Sequence, residues 1–385
     1  LFNKIPFHRE SKTGLEAEHV SKAAAAGLTS RPYTARCQEW IQDLTQSPLV
    51  LMTASATAGL ELSLLSLDLQ PEEEVILPSF SYPSEANAIL LAGGKPVFAE
   101  IDPETMELSL EDLKRRVTER TRGVILVHYG GSSHQLTAID QFCRQQRLIL
   151  IEDASHAYLA KHGENYLGTV GHFGVYSFHA TKNISAGTGG TLLCNLPAED
   201  PRSLRCQMIA ENGTDRLLFL QGKVPCYQWQ VPGLNVQPSE LAMAYLWPQL
   251  VHAQELTLSR SIAYQQYEAY FQTLPQPHPV ISGWSPSRDP YEGNYHTFFL
   301  RTRSVTQRNR LKDCLAQRSI QTVSHFEPLH QAPMGIRLGY ARGDLPITAH
   351  AAETLLRLPL YAGMTLSEAD QVVQAIADSL LEMEE

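Results

Sequence analysis

Short apolar runs that read as strands alternate with longer amphipathic runs through the first half of the chain, and this alternation constrains the fold most. "LVLMTAS" (49–55) is β-like, and "TAGLELSLLSLDL" (57–69) is helical in period. "EVILPSF" (74–80), "ANAILLAGG" (86–94) and "KPVFAEID" (95–102) follow. "SLEDLKRRV" (109–117) is helical, "GVILVHYGG" (123–131) a strand, "LTAIDQFCRQQR" (136–147) helical and "LILIEDAS" (148–155) a strand. Strand and helix in turn make βαβ units, and strands apolar along their whole length are covered on both faces. "HFGVYSFHA" (172–180) and "GGTLLCN" (189–195) add two strands joined by a short loop. The expected class is α/β, a mostly parallel sheet flanked by helices.

The pattern turns helical over 236–272, where the proline of "LWPQL" predicts a kink or break. A loop rich in Pro, Gly and Ser (273–294) introduces a strand ("YHTFFLRT"), a helix ("QRNRLKDCLAQR"), a short strand ("QTVSHF") and a last helix ("LSEADQVVQAIADSLLEME"). A large domain over 1–250 and a smaller C-terminal α+β domain over 251–385 are therefore expected.

Composition narrows the function classes. With 43% hydrophobic and 19% charged residues the chain is an ordinary globular one. A net charge of -10, with no Lys/Arg run that stands out, argues against a nucleic-acid partner. No apolar stretch approaches the ~20 residues that span a bilayer, and "LFNKIPFHRE" lacks the continuous apolar core of a secretory signal. The six cysteines are scattered, with no C-x-x-C pair and no His/Cys cluster. No metal site or disulfide framework is expected, and a cytoplasmic setting fits.

In open parallel sheets the ligand sits beyond the carboxyl ends of the strands. The residues there are 53–57, 79–82, His128, 153–156 and 177–182. Asp153 ends "LILIED", where a carboxylate behind buried apolar residues needs a partner. It is either a helix N-cap or the counter-ion of a cationic ring nitrogen, as on the pyridinium of pyridoxal phosphate (PLP). Lys182 in "SFHATKNIS" is either a solvated surface charge or an amine that forms a Schiff base and then moves protons. Ser55, Ala56 and Thr57 in "ASATAG" can turn N–H groups and hydroxyls toward an anion at a helix start, or simply cap the helix. Tyr82 is a stacking ring or a core tyrosine. Ser177 can add a phosphate contact and His156 a hydrogen bond to a phenolic oxygen. Together these residues supply one of each part a PLP site needs.

With those residues in place, the chain resembles the DegT-type sugar-nucleotide aminotransferases, a branch of the fold-type I PLP enzymes. "LPSFSYPSEANAIL" (77–90), "PVFAEIDPETM" (96–106), "VHYGG" (127–131), "IEDASHA" (151–157), "LGTVGHFGVYSFHATKN" (167–183), "YHTFFL" (295–300) and "HFEPLH" (325–330) carry the likeness. "RCQEW" (36–40), "AYLWPQL" and "RLPLY" (357–361) make it most similar to the enzymes that aminate C4 of dTDP-4-keto-6-deoxyglucose. The resemblance implies a Schiff-base role for Lys182, a ring-nitrogen role for Asp153, and His156 beside it. It implies phosphate contacts from Ser177, Ala56 and Thr57, with Tyr82 stacking on the ring. Asn235 falls on an asparagine that reaches the phosphate from a neighbouring subunit, which implies a homodimer with sites at the interface. Tyr33, Arg216, His325 and His330 fall where the family builds its substrate pocket.

The resemblance also implies the reaction, transfer of an amino group from an amino acid, expected to be L-glutamate, to a keto-sugar nucleotide. Relatives with histidine in place of the lysine are dehydratases, so the retained Lys182 favours transamination. A 3-keto-sugar aminotransferase, a PLP-dependent sugar dehydratase and a non-catalytic PLP-binding regulator stay open. A Rossmann nucleotide binder is disfavoured, because "TASATAG" is not G-x-G-x-x-G. The chain departs from its relatives at "GTGG" (187–190), where Thr188 replaces a glutamate, at Ser155, and at Gln237-Pro238.

Overall fold

The computed structural model describes residues 4–286 and 293–384. Five strands come first: β1 (Leu49–Thr53), β2 (Glu74–Pro78), β3 (Lys95–Ala99), β4 (Thr121–Val127) and β5 (Ile149–Asp153). A tiny hairpin, β6 (Lys161–His162) with β7 (Asn165–Tyr166), precedes β8 (Phe173–Ser177) and β9 (Gly190–Cys194). All but the hairpin join one seven-stranded sheet in the order β1-β9-β8-β5-β4-β2-β3. From β8 to β3 every pairing is parallel, and β9 runs antiparallel to both β1 and β8. The β8–β9 connection contains no helix, whereas a parallel crossover usually runs through one.

The expected strands are thus present, each within a few residues of its apolar run. β2, β8 and β9 are buried at every position, as strands covered on both faces must be. The helix Ala56–Leu65 begins at Ser55, whose side chain accepts from the Ala58 N–H at 3.2 Å. Gly59 on this helix faces Val175 and the Thr191 carbonyl at 3.2–3.4 Å from where a Cβ would stand, so the helix lies tight against β8 and β9. Two helices before β1, Glu16–Ala26 and Pro32–Thr45, pack against Glu240–Val251.

The helical stretch after 236 is two helices, Glu240–Val251 and Ala253–Gln272. The break falls at His252, four residues beyond Pro248, because a proline removes only its own N–H and the next turn can still form. A second, antiparallel sheet follows: β10 (Ile281–Trp284), β11 (Phe299–Thr302) and β12 (Leu355–Arg357). β10 lies inside the stretch expected to be loop, of which residues 287–292 lie outside the described residues. The expected strand "QTVSHF" is a single bridge, Val323 to Arg357. Tyr264, Tyr267, Phe271, Phe298, Leu356 and Ile376 form the core of this part. The last helix, Leu366–Glu384, packs on Ala253–Gln272.

Candidate active site

The parallel strands deliver their carboxyl ends to one edge of the large sheet, and antiparallel β9 begins there. Register aligns three residues across that edge: Thr53 pairs with Gly190, and Gly190 with Ser177. A cavity of about 430 Å³ opens over them. Ser55, Ala56, Thr57, Tyr82, Asp153, His156, Ser177, Lys182 and His325 all line it. Nine residues singled out in the sequence, spread over 270 positions, therefore meet in one place.

Lys182 sits in the turn after β8. Its N–H donates to the His179 carbonyl at 2.9 Å, and the next residue, Asn183, is buried. The Asn183 amide donates to the Asn294 carbonyl at 2.7 Å, and Gln249 clamps Ser185 through two main-chain bonds of 2.8 and 2.9 Å. The loop is thus held on both sides of the lysine. Burial pulls the Lys182 ammonium down to about 8, against an opposing pull from Asp153. Lys182 is half-buried and lines the cavity.

Asp153 ends β5, and its Oδ1 accepts from the Ser155 N–H at 2.9 Å. Its neighbour Glu152 points to the opposite face, as successive strand residues do. There Glu152 accepts from His128 Nε2 at 2.7 Å and from the N–H groups of Gly168, Val170 and Gly171. His128, one of the strand-end residues weighed from sequence, is committed to that structural pair. Of the two acids in "IED", only Asp153 reaches the cavity.

The cavity also gathers residues that sequence reasoning missed. Glu85 is 1% exposed and hydrogen-bonds to Asp153, so burial and the adjacent carboxylate push its carboxyl well above the usual range. His296, Arg260 and Arg357 arrive from the C-terminal part. His156 stacks on His296, with ring centroids 4.4 Å apart, and on His325 at 5.9 Å. Burial holds all three imidazoles well below their ordinary value, so they are neutral. His156 Nδ1 accepts from the Gly130 N–H at 3.3 Å, which leaves the proton on Nε2. His325 Nδ1 meets the Tyr129 hydroxyl at 2.8 Å. The signals were faint. Glu85 stands within "SYPSEANAIL", and Arg357 opens "RLPLY", but neither spacing announces a site.

Four expected site residues are elsewhere. Tyr33 is buried, its hydroxyl 3.0 Å from His19 Nδ1. Arg216 is exposed and pairs with Glu211 at 3.4 Å. Asn235 is exposed, bridging Glu211 through the main chain. His330 is fully buried, with Nδ1 2.7 Å from the Ser79 hydroxyl, and ties its loop to the end of β2. None of the four lines the cavity of the single chain. Tyr82 lines its rim and is 60% exposed, so it is not a core tyrosine.

The residues present fit PLP. The start of helix Ala56–Leu65 presents main-chain N–H groups to an anion. Gly190 makes room for that turn, since a Cβ there would lie 2.4 Å from the Ala56 nitrogen. The Glu85–Asp153 carboxyl pair faces a cavity in which a ring cation would be neutralised, and His156 Nε2–H is a donor for a phenolic oxygen. The pattern of the DegT/DnrJ/EryC1/StrS aminotransferase family matches residues 11–377.

The chain belongs to that family. Members of the DegT family are PLP-dependent sugar aminotransferases. Solved structures agree with the fold. A Streptococcus pneumoniae protein described as a sugar aminotransferase, in its PMP form, is 23% identical and superposes with a TM-score of 0.89, covering 98% of this chain and 99% of its own. The aminotransferase TlmJ of Streptoalloteichus hindustanus is 25% identical, with a TM-score of 0.85 and coverage of 99% and 100%. DesV of S. venezuelae, in complex with a ketimine intermediate, is 23% identical, with a TM-score of 0.86 and coverage of 98% of each chain. No helix among the described residues of this DegT-family chain is long and apolar enough to cross a membrane.

Proposed function

We propose that this DegT-family enzyme transfers the amino group of L-glutamate to C4 of dTDP-4-keto-6-deoxyglucose. The observation that carries the reading is the meeting of Lys182, Asp153 and the Ser55–Thr57 turn in one cavity. PLP, when bound, supplies an electron sink that lets the donor's Cα release a proton. Lys182 Nζ is the base that takes this proton, since burial has brought its amine close to neutrality. When PLP is bound, the Asp153 carboxylate would face the ring nitrogen, His156 Nε2–H would serve the phenolic oxygen, and Tyr82 would cover the ring. Ala56, Thr57 and Ser177 would hold the phosphate, since the Ser55 hydroxyl caps the helix. His325 belongs to the sugar-facing wall.

The same reading makes the enzyme a cytoplasmic homodimer, with a large domain to about residue 250 and a small one after it. Two separate sheets, on either side of the helices that meet at His252, support the division. Six free cysteines suit a reducing compartment. Asn235 is assigned to the second copy's site, as the family resemblance implies, and it does not line its own.

Purified protein is expected to be yellow, and borohydride to fix PLP on Lys182. Incubation with L-glutamate and dTDP-4-keto-6-deoxyglucose, with product analysis against the 3-keto isomer, tests the substrate. Amination of only the 3-keto isomer, or loss of a hydroxyl without amination, would sink the C4 assignment. Protein that takes up no PLP would sink the whole reading.

A further inference from the structure

Two stacked imidazoles on the cavity wall offer opposite hydrogen-bonding faces. His156 has an Nε2–H to give. His296 is the reverse, and the Asn183 amide decides it. Asn183 Nδ2 donates to the Asn294 main-chain carbonyl at 2.7 Å, and that oxygen only accepts. The amide is therefore not turned over, and its Oδ1 is the atom 2.8 Å from His296 Nδ1. An amide oxygen has no proton to give, so the proton of the neutral ring sits on Nδ1. Nε2 is left with a bare lone pair, and it has no hydrogen-bond partner among the described residues. The ring lines the cavity, and His296 is only 6% exposed. An acceptor buried this far is costly until a donor reaches it. The ring is also firmly held. Asn294 Oδ1 accepts from the His296 N–H at 3.2 Å, while Asn294 Nδ2 donates to the His156 and Tyr158 carbonyls at 2.7 and 3.0 Å. One asparagine thus clamps both imidazoles.

Few groups in the reaction have a hydrogen to give this lone pair. The phosphate and phenolic oxygen of PLP, the carboxylates of the amino-acid donor, the keto oxygen and the diphosphate of a sugar nucleotide only accept. The base and ribose lie beyond that diphosphate. Lys182 Nζ makes no hydrogen bond to His296, and the amine in transit stands on the cofactor where Lys182 would. The hydroxyls of the sugar remain. We propose that His296 Nε2 accepts the hydroxyl on the carbon next to the keto carbon, which in dTDP-4-keto-6-deoxyglucose is the one on C3. The inference rests on the aminotransferase reading above. Position singles out this hydroxyl. His296 stacks 4.4 Å from His156, the donor to the phenolic oxygen, and the charge of Lys182 acts on both rings. The acceptor is therefore beside the reacting nitrogen, within reach of a group one carbon from the keto carbon. C5, on the other side, carries a methyl group and the ring oxygen, and neither is a donor.

The test reads a ratio within each protein, so general damage to a variant cancels. Wild type, His296→Phe and His296→Gln are loaded with PLP, supplied with L-glutamate, and offered dTDP-4-keto-6-deoxyglucose or its 3-deoxy analogue. In wild type, kcat/KM for the parent sugar is expected to exceed that for the analogue by about 10-fold or more, because the analogue leaves a buried acceptor unpaired. His296→Phe keeps a flat ring against His156 but has no lone pair, and its ratio should fall to near one. His296→Gln offers both a donor to Asn183 and an oxygen to the hydroxyl, and should recover part of the ratio. Calorimetry with dTDP-6-deoxyglucose and its 3-deoxy analogue, which have no keto group to aminate, reads the same preference as binding alone. A wild-type ratio near one would overturn the assignment, as would a His296→Phe that keeps the wild-type ratio. Wild-type protein that takes up no PLP would instead overturn the aminotransferase reading.

Discussion

Glu85 and Asp153 meet carboxyl to carboxyl at one wall of the cavity, joined by a hydrogen bond that needs a proton. Glu85 carries it, because burial and the neighbouring charge both disfavour a second carboxylate there. Asp153 is then the acceptor of that bond, and its Oδ1 also accepts from the Ser155 N–H at 2.9 Å.

This pair makes the stability of the cofactor-free protein depend on pH in a fixed direction. Glu85 binds its proton more tightly folded than unfolded, where its value is about 4.3. The folded state therefore holds the extra proton, and stability falls as pH rises above that value toward the raised folded one. Glu85→Gln keeps a donor to Asp153 and removes the titration. Melting of the apo-protein should show the variant gaining on wild type by several degrees between pH 5 and pH 8. Parallel melting curves across that range would count against a shared proton.

Capture of PLP should speed up as pH rises through about 8, since the neutral amine attacks the aldehyde and Lys182 titrates there. Stopped-flow absorbance on apo-protein gives the profile. Lys182→Ala should show no covalent fixation at any pH and a loss of at least about 10³-fold in turnover. An inflection near the ordinary lysine value of about 10.4 would contradict the buried environment.

Gly190→Ala should damage the anion cradle. The added Cβ would stand 2.4 Å from the Ala56 nitrogen and the Ser55 carbonyl carbon, both main chain and unable to swing away. Overpacking of this kind costs about 2 kcal/mol. The dissociation constant for PLP, measured by equilibrium dialysis, should rise more than about tenfold. Thr188→Glu, at an exposed position beside the same cavity, adds no such clash and should leave it unchanged.

The arm that leads to Asn235 exposes Leu220, Tyr227 and Trp229, the last 76% exposed. Apolar surface of this kind marks an interaction site, and the homodimer reading gives it a second copy of the chain. Light scattering should give twice the chain mass of 42.9 kDa. Trp229→Glu should yield a monomer with weaker PLP binding, because Asn235 would no longer reach across. A monomeric wild type that binds PLP tightly would refute the shared site.

The alternation of buried strands with amphipathic helices was enough to foresee the large sheet, because strands covered on both faces leave long apolar runs. The strand-end rule then led to Asp153, Ser177 and Lys182, each within a few residues of a run that any reader can see. The C-terminal part was less legible. β12 is three residues long, its pattern too short to separate from its surroundings, and "QTVSHF" is held by one bridge instead of a ladder.

What the sequence determined by itself, then, is the local chemistry: which residues stand at strand ends, and which turn can face an anion. Only the tertiary structure decided which side chains share a cavity. It sent Asp153 inward and Glu152 to the opposite face, spent His330 on Ser79, and brought Glu85 and Arg357 to a site their own segments do not announce. The physical reason is that burial and charge pairing act between residues far apart in the chain. A carboxyl proton or a ring tautomer acquires its meaning only from what packs against it.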